Sequence, residues 1–280
     1  MEIFSTKADL ATAIGDYRKR GSGIALVPTM GALHEGHLSL VRHAQNKQDC
    51  IVVSIFVNPT QFNDPADLKK YPRTPEKDLD LLLNEGVDLV FVPEVKEMYP
   101  EEDRRDFDLA GLDLVMEGEH RPGHFRGVAQ IVSKLFEAVN PDRAYFGQKD
   151  FQQVVIIRQL VKVLELNLEI ISCPIIRESD GLAMSSRNVR LGPKARLEAP
   201  FIFRTLTRAR ELRHSMDPAE LKHWVENAFR ERNGFQLEYF EIVDSMNLQT
   251  VRSWEDPGTK VACVAVFLDG IRLIDNLIFA

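Results

Sequence analysis

The sequence predicts an α/β protein: a doubly wound parallel sheet, followed by a second, smaller α+β domain at the carboxyl end. Two observations lead to this prediction. Over the first two-thirds of the chain, short apolar runs alternate with segments of helical periodicity, the pattern of a parallel sheet covered by helices on both faces. Beyond about residue 185, the order changes to two helices followed by three strand-like segments.

In the first part, apolar runs predict strands and amphipathic stretches predict helices. The run CIVVSIFVN (50–58) is almost wholly apolar, as expected of a strand buried on both faces. The other predicted strands are 23–30, 88–93, 144–147 and 168–176, and the predicted helices are 37–47, 76–86, 126–140 and 151–166. This succession is Rossmann-like, and we expect it to form one domain over residues 1–180.

The carboxyl-terminal part predicts a domain of its own over residues 181–280. The dipeptide Asp269-Gly270 favours a hairpin turn between the last two strands. Its predicted helices are 194–214 and 218–232, and its predicted strands are 236–244, 261–270 and 271–279. We expect this small α+β domain to act as a lid over the ligand site, with a platform for dimer formation as the alternative.

Composition and charge limit the classes of function. Of 280 residues, 44% are hydrophobic and 28% are charged, as in ordinary soluble globular proteins. No apolar run approaches the roughly 18–20 residues that cross a bilayer, and the first residues lack a signal-peptide pattern. The net charge of −7 disfavours nucleic acid as the main partner. Three distant cysteines in apolar runs predict buried thiols and a cytoplasmic protein.

The stretch MGALHEGH (30–37) is the first candidate site. It lies between a predicted strand and a predicted helix, and such junctions of a parallel sheet lie at the edge where ligands bind. Helix N-termini attract anions, and His34 and His37 can donate hydrogen bonds to phosphate oxygens. Zinc is disfavoured because the helical zinc pair is spaced HExxH, without an internal glycine. A strand–helix turn with incidental histidines stays open.

Two further segments have residues suited to anion binding. GQKD (147–150) lies between a predicted strand and a predicted helix, and Lys149 is a natural partner for phosphate. DGLAMSSRN (180–188) offers two serines and an arginine, at 185–187, in a loop led by glycine. Each segment alone is also explained as an exposed lysine or a polar loop. The three segments together favour a nucleotide polyphosphate as ligand.

These motifs resemble those of a known enzyme family. HEGH is similar to the HIGH-type signature of nucleotidyl transferases, and MSSR at 184–187 is similar to a diverged KMSKS loop. As a whole, the chain resembles the pantothenate synthetase (pantoate–β-alanine ligase) family. The matching segments are VPTMGALHEGH (27–37), VSIFVNPTQF (53–62), YPRTPEKDL (71–79), GHFRGV (123–128), NPDRAYFGQKDFQQ (140–153) and RESDGLAMSSRN (177–188).

The resemblance implies an ATP-dependent ligase that joins (R)-pantoate to β-alanine through a pantoyl-adenylate, releasing AMP and pyrophosphate, with Mg²⁺ on the ATP. It implies that His37, His34 and Lys149 are catalytic and that Gln61 and Gln153 hold pantoate. The residues that it assigns to ATP binding are Met30, Gly31, Ala32, Leu33, His34, Glu35, Gly36, His37, Gly147, Gln148, Lys149, Asp150, Ile176, Met184, Ser185, Ser186 and Arg187. It also implies a homodimer, and we expect no nucleic-acid or membrane partner.

The chain departs from the family pattern after YPRTP, where relatives carry an acidic run. Here the residues are Glu76, Lys77 and Asp78. Because of the lysine, we assign no protein ligand to Mg²⁺ and expect Asp78 to be a surface charge, with a role as an outer-shell partner of the ion as the alternative. His120 and His124 flank a Pro-Gly turn and are given no role.

Three other functions share parts of this pattern. An adenylyl transferase acting on a phosphorylated acceptor would need a second basic pocket, and the apolar segment VSIFVNPTQF argues against one. A protein similar to an aminoacyl-tRNA synthetase would need a basic surface for RNA. A non-enzymatic nucleotide sensor would bind ATP without pantoate-dependent turnover, and activity measurements would separate it from the ligase.

Overall fold

A computed structural model describes residues 1–47, 49–63 and 65–279 of the chain. Within them, the chain divides into two compact units. The larger unit contains the described residues of 1–147 and 156–174, and the smaller unit contains 148–155 and the described residues from 175 onward. The expected domain boundary near residue 180, and the lid role expected for residues 181–280, stay predictions.

The larger unit is built on a parallel sheet. Its strands are β1 (Glu2–Phe4), β2 (Ile24–Thr29), β3 (Cys50–Ile55), β4 (Leu89–Phe91), β5 (Arg143–Gly147) and β6 (Glu169–Cys173). Within the described residues, the strand order is β1-β4-β3-β2-β5-β6, and all neighbouring strands are parallel. The predicted α/β fold with a doubly wound parallel sheet is confirmed.

Helices connect and flank these strands. They are α1 (Lys7–Lys19), α2 (Glu35–Gln45), α3 (Pro65–Lys70), α4 (Pro75–Asn84), α5 (Val95–Met98), α6 (Glu117–His120), α7 (His124–Val139) and α8 (Phe151–Val163). The sequence analysis did not predict β1 or α1, because β1 has only three residues and the buried residues of α1 are Leu10 and Ile14. In the part of the chain that the structure describes, no helix is long and apolar enough to cross a membrane.

The central strands are buried, as predicted. Every residue from Cys50 to Ser54 of β3 is buried, and side chains of β2, β3 and β4 pack with those of α2 in one apolar cluster. Burial raises the pKa of the Cys50 thiol to about 12 and that of the Cys173 thiol to about 11. At neutral pH both groups stay protonated and act as small apolar side chains.

The smaller unit carries an antiparallel sheet with its own apolar core. Its elements are α9 (Pro193–Glu198), α10 (Phe201–Leu212), α11 (Pro218–Arg230), β7 (Phe235–Asp244), β8 (Lys260–Leu268) and β9 (Ile271–Ile278), with strand order β7-β8-β9. The predicted hairpin at Asp269-Gly270 joins β8 to β9. The prediction of one helix over 194–214 is wrong. Pro200 has no N–H to continue the hydrogen-bond ladder, so the segment forms two helices, α9 and α10.

An irregular segment before α6 is fixed to α7 by one buried carboxylate. Asp103 accepts hydrogen bonds from the Arg105 side chain at 2.8 Å and from the Arg105 N–H at 3.0 Å. Its Oδ2 also lies 3.0 Å from Nζ of Lys134. The Gln130 side-chain amide donates to the carbonyl groups of Asp103 and Arg105 at 3.0 Å and 2.9 Å. The hydrogen bonds from Arg105 hold the pKa of Asp103 well below its usual range.

We expect Asp103→Asn to lower the free energy of unfolding at pH 7 by about 2 kcal/mol, the typical worth of hydrogen bonds to a charged group. A carboxyl whose pKa is depressed by folding contributes stability above the pKa of the unfolded chain, about 3.9 for Asp, and loses it as the pH falls. Urea unfolding at pH 7 and at pH 3 measures the free energy of unfolding of wild type and variant. The difference in this free energy between the two proteins should be smaller at pH 3 than at pH 7.

Asp106→Asn is the matched control, because the Asp106 side chain is 79% exposed and lies 4.0 Å from its arginine partner. This control should change stability by less than about 0.5 kcal/mol at either pH. If Asp103→Asn lowers the free energy of unfolding equally at both pH values, Asp103 is not a charged carboxylate whose pKa is lowered by folding.

Candidate active site

The strand order of the larger unit creates a reversal point at the carboxyl edge of the sheet, between β2 and β5. From β2 the chain passes to β3 on one side, whereas β5 and β6 lie on the other side. Ligands of open α/β sheets bind at such points, outside the carboxyl ends of the strands. Met30 follows β2 and Gly147 ends β5, so both predicted site residues lie at this edge.

A buried carboxylate holds the turn after β2. Gly31 and Ala32 both have positive φ, 76° and 50°, a conformation that is unfavourable for alanine. Oδ2 of Asp78 accepts a hydrogen bond from the Ala32 N–H, and Oδ1 accepts one from the Leu33 N–H, both at 2.8 Å. The Thr74 hydroxyl donates to Oδ1 at 3.0 Å. These bonds stabilise the turn that leads into α2.

The expectation that Asp78 is a surface charge is therefore wrong. Asp78 is only 1% exposed, and a carboxylate is buried at low cost only when it is hydrogen-bonded or paired. Its three donors occupy most of the acceptor capacity of the two oxygens. Among residues 1–47, 49–63 and 65–279, no group of three or more His, Cys, Asp or Glu side chains could hold a metal ion.

His34 and His37 cap α2 with their own side chains. Nδ1 of His34 accepts a hydrogen bond from the Gly36 N–H at 3.2 Å, and Nδ1 of His37 accepts one from the His34 N–H at 3.3 Å. The two ring centroids are 4.1 Å apart. Because an accepting Nδ1 carries no proton, each neutral ring carries its proton on Nε2. The spacing of the histidines is thus that of a capping box.

Glu35 lies between these two histidines, and its negative charge would repel a bound anion. Its side chain is instead paired along the side of α2. Its carboxylate pairs with Arg42, which also pairs with Glu85. The hydrogen bonds that Arg42 donates to Glu85 and to Glu35 raise the pKa of its guanidinium. The negative charge of Glu35 is therefore paired with a guanidinium on the helix flank.

Gln61 lies in a 3₁₀ turn, Pro59–Gln61, that follows β3. Nδ2 of Asn58 donates to Oε1 of Gln61 at 3.2 Å, and Nε2 of Gln61 donates to the Met30 sulfur at 3.1 Å. The structure therefore brings together Gln61 and Met30, which the sequence assigned to pantoate and to ATP. A thioether sulfur is a weak acceptor, so a substrate oxygen could replace it at little cost.

Three residues without a predicted role hold this turn against α7. Asn58 is 1% exposed and donates to the Gly127 carbonyl at 3.1 Å. Nδ1 of His124 donates to the Gln61 carbonyl at 2.8 Å. A Cβ on Gly127 would lie only 2.4 Å from the Thr60 carbonyl oxygen, so only glycine permits this approach. Their one sequence signal was their position inside the matching segments 53–62 and 123–128.

In the smaller unit, Gln148–Asp150 forms a 3₁₀ turn that leads directly into α8. Nζ of Lys149 lies 3.9 Å from Oδ1 of Asp150, so the lysine has an acidic neighbour within its own turn. Gln153 is half-buried in the first turn of α8. In this unit, the predicted residues of the segment are thus carried by a 3₁₀ turn and by the first turn of the helix that follows it.

The remaining predicted residues lie in a hairpin and the loop that follows it. In the hairpin, 176–184, the Met184 N–H donates to the Ile176 carbonyl at 3.0 Å. In the loop, the hydroxyl of Ser185 accepts from the Arg187 N–H at 3.3 Å. Both serines and the arginine are half-buried. Ile176 and Met184 are therefore brought together at the base of the loop.

The chain is similar over its whole length to one enzyme family. The family model described as pantoate–beta-alanine ligase matches residues 2–278. A protein of Porphyromonas gingivalis strain W83 named pantothenate synthetase is 53% identical over 277 residues, 99% of each chain. The crystal structure of pantothenate synthetase from Thermus thermophilus matches with a TM-score of 0.92 and 42% identity over 99% of each chain.

A third relative was solved with ligands. The structure of pantoate–beta-alanine ligase from Francisella tularensis, complexed with beta-gamma ATP and beta-alanine, matches with a TM-score of 0.80. It is 34% identical, and the match covers 100% of this chain and 98% of that chain. Together with the fold, these similarities define the protein as a ligase. The chain belongs to the pantoate–beta-alanine ligase family, whose members join pantoate to β-alanine to form pantothenate, and the resemblance seen in the motifs is confirmed.

We expect Asp78→Asn to lower the free energy of unfolding by about 2 kcal/mol, because one amide N–H₂ would face a backbone N–H and leave a buried donor unsatisfied. Urea unfolding measures this loss, and steady-state kinetics should show an increase in the KM for ATP because the α2 turn is displaced. Asp80→Asn, at an exposed position on the same helix, is the control and should change neither quantity. A stable Asp78→Asn variant with unchanged kinetics would show that the turn does not need the carboxylate.

Proposed function

We propose that this ligase activates the pantoate carboxylate with ATP and then forms the amide bond in a second step. The main support is the N-terminus of α2, capped by His34 and His37, at the reversal point of the sheet. Such helix N-termini are suited to phosphate. The relative from Francisella tularensis, solved with beta-gamma ATP and beta-alanine, supports an ATP site in this family.

In the first step, a carboxylate oxygen of pantoate attacks the α-phosphorus of ATP. A phosphorus–oxygen bond forms to the carboxylate, the bond to the β-phosphate oxygen breaks, and pyrophosphate leaves with the electron pair. The product is pantoyl-adenylate, a mixed anhydride with a good leaving group. Positioning of the reactants and neutralisation of the phosphate charge supply most of the acceleration in such transfers.

In the larger unit, we assign ATP contact to the turn after β2 and the first turn of α2. Nε2–H of His34 and of His37 are the donors that the two rings would offer to phosphate oxygens, because their Nδ1 atoms accept backbone hydrogen bonds. We assign the catalytic role to His37 and a phosphate contact to His34. The remaining ATP-contact residues in this unit are Met30, Gly31, Ala32, Leu33, Glu35, Gly36 and Gly147.

In the smaller unit, we assign a phosphate contact to Lys149, whose ammonium is a point charge suited to that role. The hydroxyl groups of Ser185 and Ser186 and the guanidinium of Arg187 would add hydrogen bonds and charge to the same ligand. Gln148, Asp150, Ile176 and Met184 are the other residues assigned to ATP. Such groups stabilise the charge that develops on the leaving pyrophosphate.

Gln61 and Gln153 are assigned to pantoate. A glutamine amide has both a donor and an acceptor, so it can pair with a hydroxyl and with a carboxylate. For Gln61, the amide orientation is already set by the hydrogen bond from Asn58. Removing that donor would leave the Gln61 side chain free to rotate away from its substrate.

In the second step, the neutral amine of β-alanine attacks the acyl carbon of the adenylate. The carbon–nitrogen bond forms, the anhydride carbon–oxygen bond breaks, AMP leaves with the electron pair, and the amine loses a proton. Mg²⁺ would enter as part of the substrate MgATP, since this ion needs few protein ligands when phosphates hold it. Homodimer formation and a cytoplasmic location belong to the same proposal. The dimer rests on the family resemblance, and the location rests on the three distant cysteines in apolar runs.

Isotope exchange between pyrophosphate and ATP tests the two-step order. With pantoate present and β-alanine absent, we expect exchange, because adenylate formation is reversible. Without pantoate, exchange should stop. An enzyme that makes pantothenate from all three substrates but shows no exchange would overturn the adenylate, because the amine would then be needed for pyrophosphate release.

We expect His37→Ala to lower kcat/KM about 100-fold, the typical loss when a group that stabilises transition-state charge is removed. His37→Asn separates catalysis from capping, because its side-chain oxygen can still accept from the His34 N–H. Compared with His37→Ala, the His37→Asn variant should be more stable but no more active. His43→Ala, on the exposed side of the same helix, should keep activity within about threefold. Activity of His37→Ala within about threefold of wild type would remove His37 from the catalytic set.

A further inference from the structure

Two consecutive polar residues of β9, Asp275 and Asn276, are both buried, at 4% and 2% exposure. Successive side chains of a strand point to opposite faces of the sheet. Burial of both therefore requires a polar partner on each face, since buried polar groups without partners are costly. Within the smaller unit, those partners belong to the turn that carries Lys149 and to the hairpin that leads into the Ser185–Arg187 loop.

The side-chain amide of Asn276 is hydrogen-bonded to the turn that carries Lys149. Its Nδ2 donates to the Gln148 carbonyl at 2.9 Å and to the Lys149 carbonyl at 3.0 Å. Its Oδ1 accepts from Nε2 of Gln148 at 3.1 Å. Both N–H groups and the oxygen of one amide thus bind two successive residues, which fixes the backbone from which the lysine side chain extends.

Asp275 is paired with the hairpin that leads to Ser185–Arg187. It forms a bidentate pair with Arg177, at 2.6 Å and 2.9 Å. The same guanidinium donates to the Gly181 carbonyl at 3.1 Å and lies 3.7 Å above the Phe203 ring. A Cβ on Gly181 would lie 2.7 Å from that ring. Arg177 therefore ties the hairpin to β9 and to α10 at the same time.

We propose that Asp275 and Asn276, the β9 pair, are positioning residues that set the spacing between the Lys149 turn and the Ser185–Arg187 loop. One strand supplies the anchor for both segments, so the two segments keep a fixed separation within the smaller unit. The inference rests on the proposed ATP contacts of those segments. Neither residue of the pair is assigned a contact with ATP, so each acts through the segment that it holds.

An ion pair elsewhere in the same sheet provides the comparison that separates positioning from stability. Nε of Arg272, also on β9, donates to Oε2 of Glu238 on β7 at 2.9 Å. Both side chains are mostly buried, at 18% and 17% exposure. Glu238→Gln therefore removes the same kind of charge from the same sheet as Asp275→Asn, but it removes it from a pair that joins β9 to β7.

The KM for ATP, the KM for pantoate and the melting temperature of the full-length variants test the proposal. We expect Asn276→Ala and Asp275→Asn to raise the KM for ATP ~10- to 100-fold, because displacements of about 1 Å have effects of this size. The KM for pantoate should change by less than about threefold. Asn276→Ser, which can still donate to one carbonyl, should fall between wild type and Asn276→Ala and serves if the alanine variant does not fold.

Glu238→Gln should lower the melting temperature as Asp275→Asn does, with an unchanged KM for ATP. Equal effects of the two charge-removing variants on the KM for ATP would overturn the proposal, because loss of stability would then explain both. An unchanged KM for ATP in folded Asn276→Ala or Asn276→Ser would overturn it as well.

A double-mutant cycle with Lys149→Ala separates this inference from the function on which it rests. If Asn276 acts through the Lys149 turn, the double variant should have nearly the same KM for ATP as Lys149→Ala alone, since coupled residues are not additive. Additive effects would show that Asn276 acts elsewhere and would refute the positioning role. A normal KM for ATP in Lys149→Ala would instead refute the phosphate contact of the lysine, whatever Asn276→Ala does.

Discussion

The buried carboxylate of Asp78 is the constraint on which the turn between β2 and α2 depends. Two successive residues in the left-handed region, Gly31 and Ala32, reverse the chain between β2 and α2, and the second of them has a side chain that disfavours this conformation. Backbone N–H groups in such a turn need an acceptor, and the two carboxylate oxygens of Asp78 provide it. The direction in which α2 leaves the sheet is therefore set by a residue far along the chain.

The capping of α2 determines what its two histidines can do. At most helix N-termini a serine, threonine or aspartate accepts the first backbone N–H groups, whereas here the acceptors are two imidazole Nδ1 atoms. These two hydrogen bonds orient the rings and set the tautomer of each neutral imidazole. The glycine between the histidines, Gly36, supplies one of the N–H groups that is capped. The spacing that resembles a zinc motif is thus explained by helix geometry.

Much of the fold was predictable from sequence, because its main signals are local. Alternating apolar runs identify the parallel sheet, and the Asp269-Gly270 turn identifies the final hairpin. The sequence did not reveal the burial of Asp78, because an acidic residue in the first turn of α4 is normally expected to be exposed. Its burial depends on the N–H groups of Ala32 and Leu33, which are distant in sequence. The break at Pro200 was missed because the helical periodicity continues across it. The support of Gln61 by Asn58 and Gly127 depends on the approach of α7 to a turn distant in sequence.

The smaller unit contains both of the segments for which we propose contacts with the phosphates of ATP. Lys149 follows a strand of the parallel sheet in sequence, yet its turn belongs to the same compact unit as the Ser185–Arg187 loop. Loops are the mobile parts of most proteins, and two loops that bind one polyphosphate, as we propose for these, need a common rigid support. β9 offers that support because its two buried polar side chains face opposite ways. Apolar side chains at those two positions could neither accept from Arg177 nor donate to the Gln148 and Lys149 carbonyls, so they could hold neither segment.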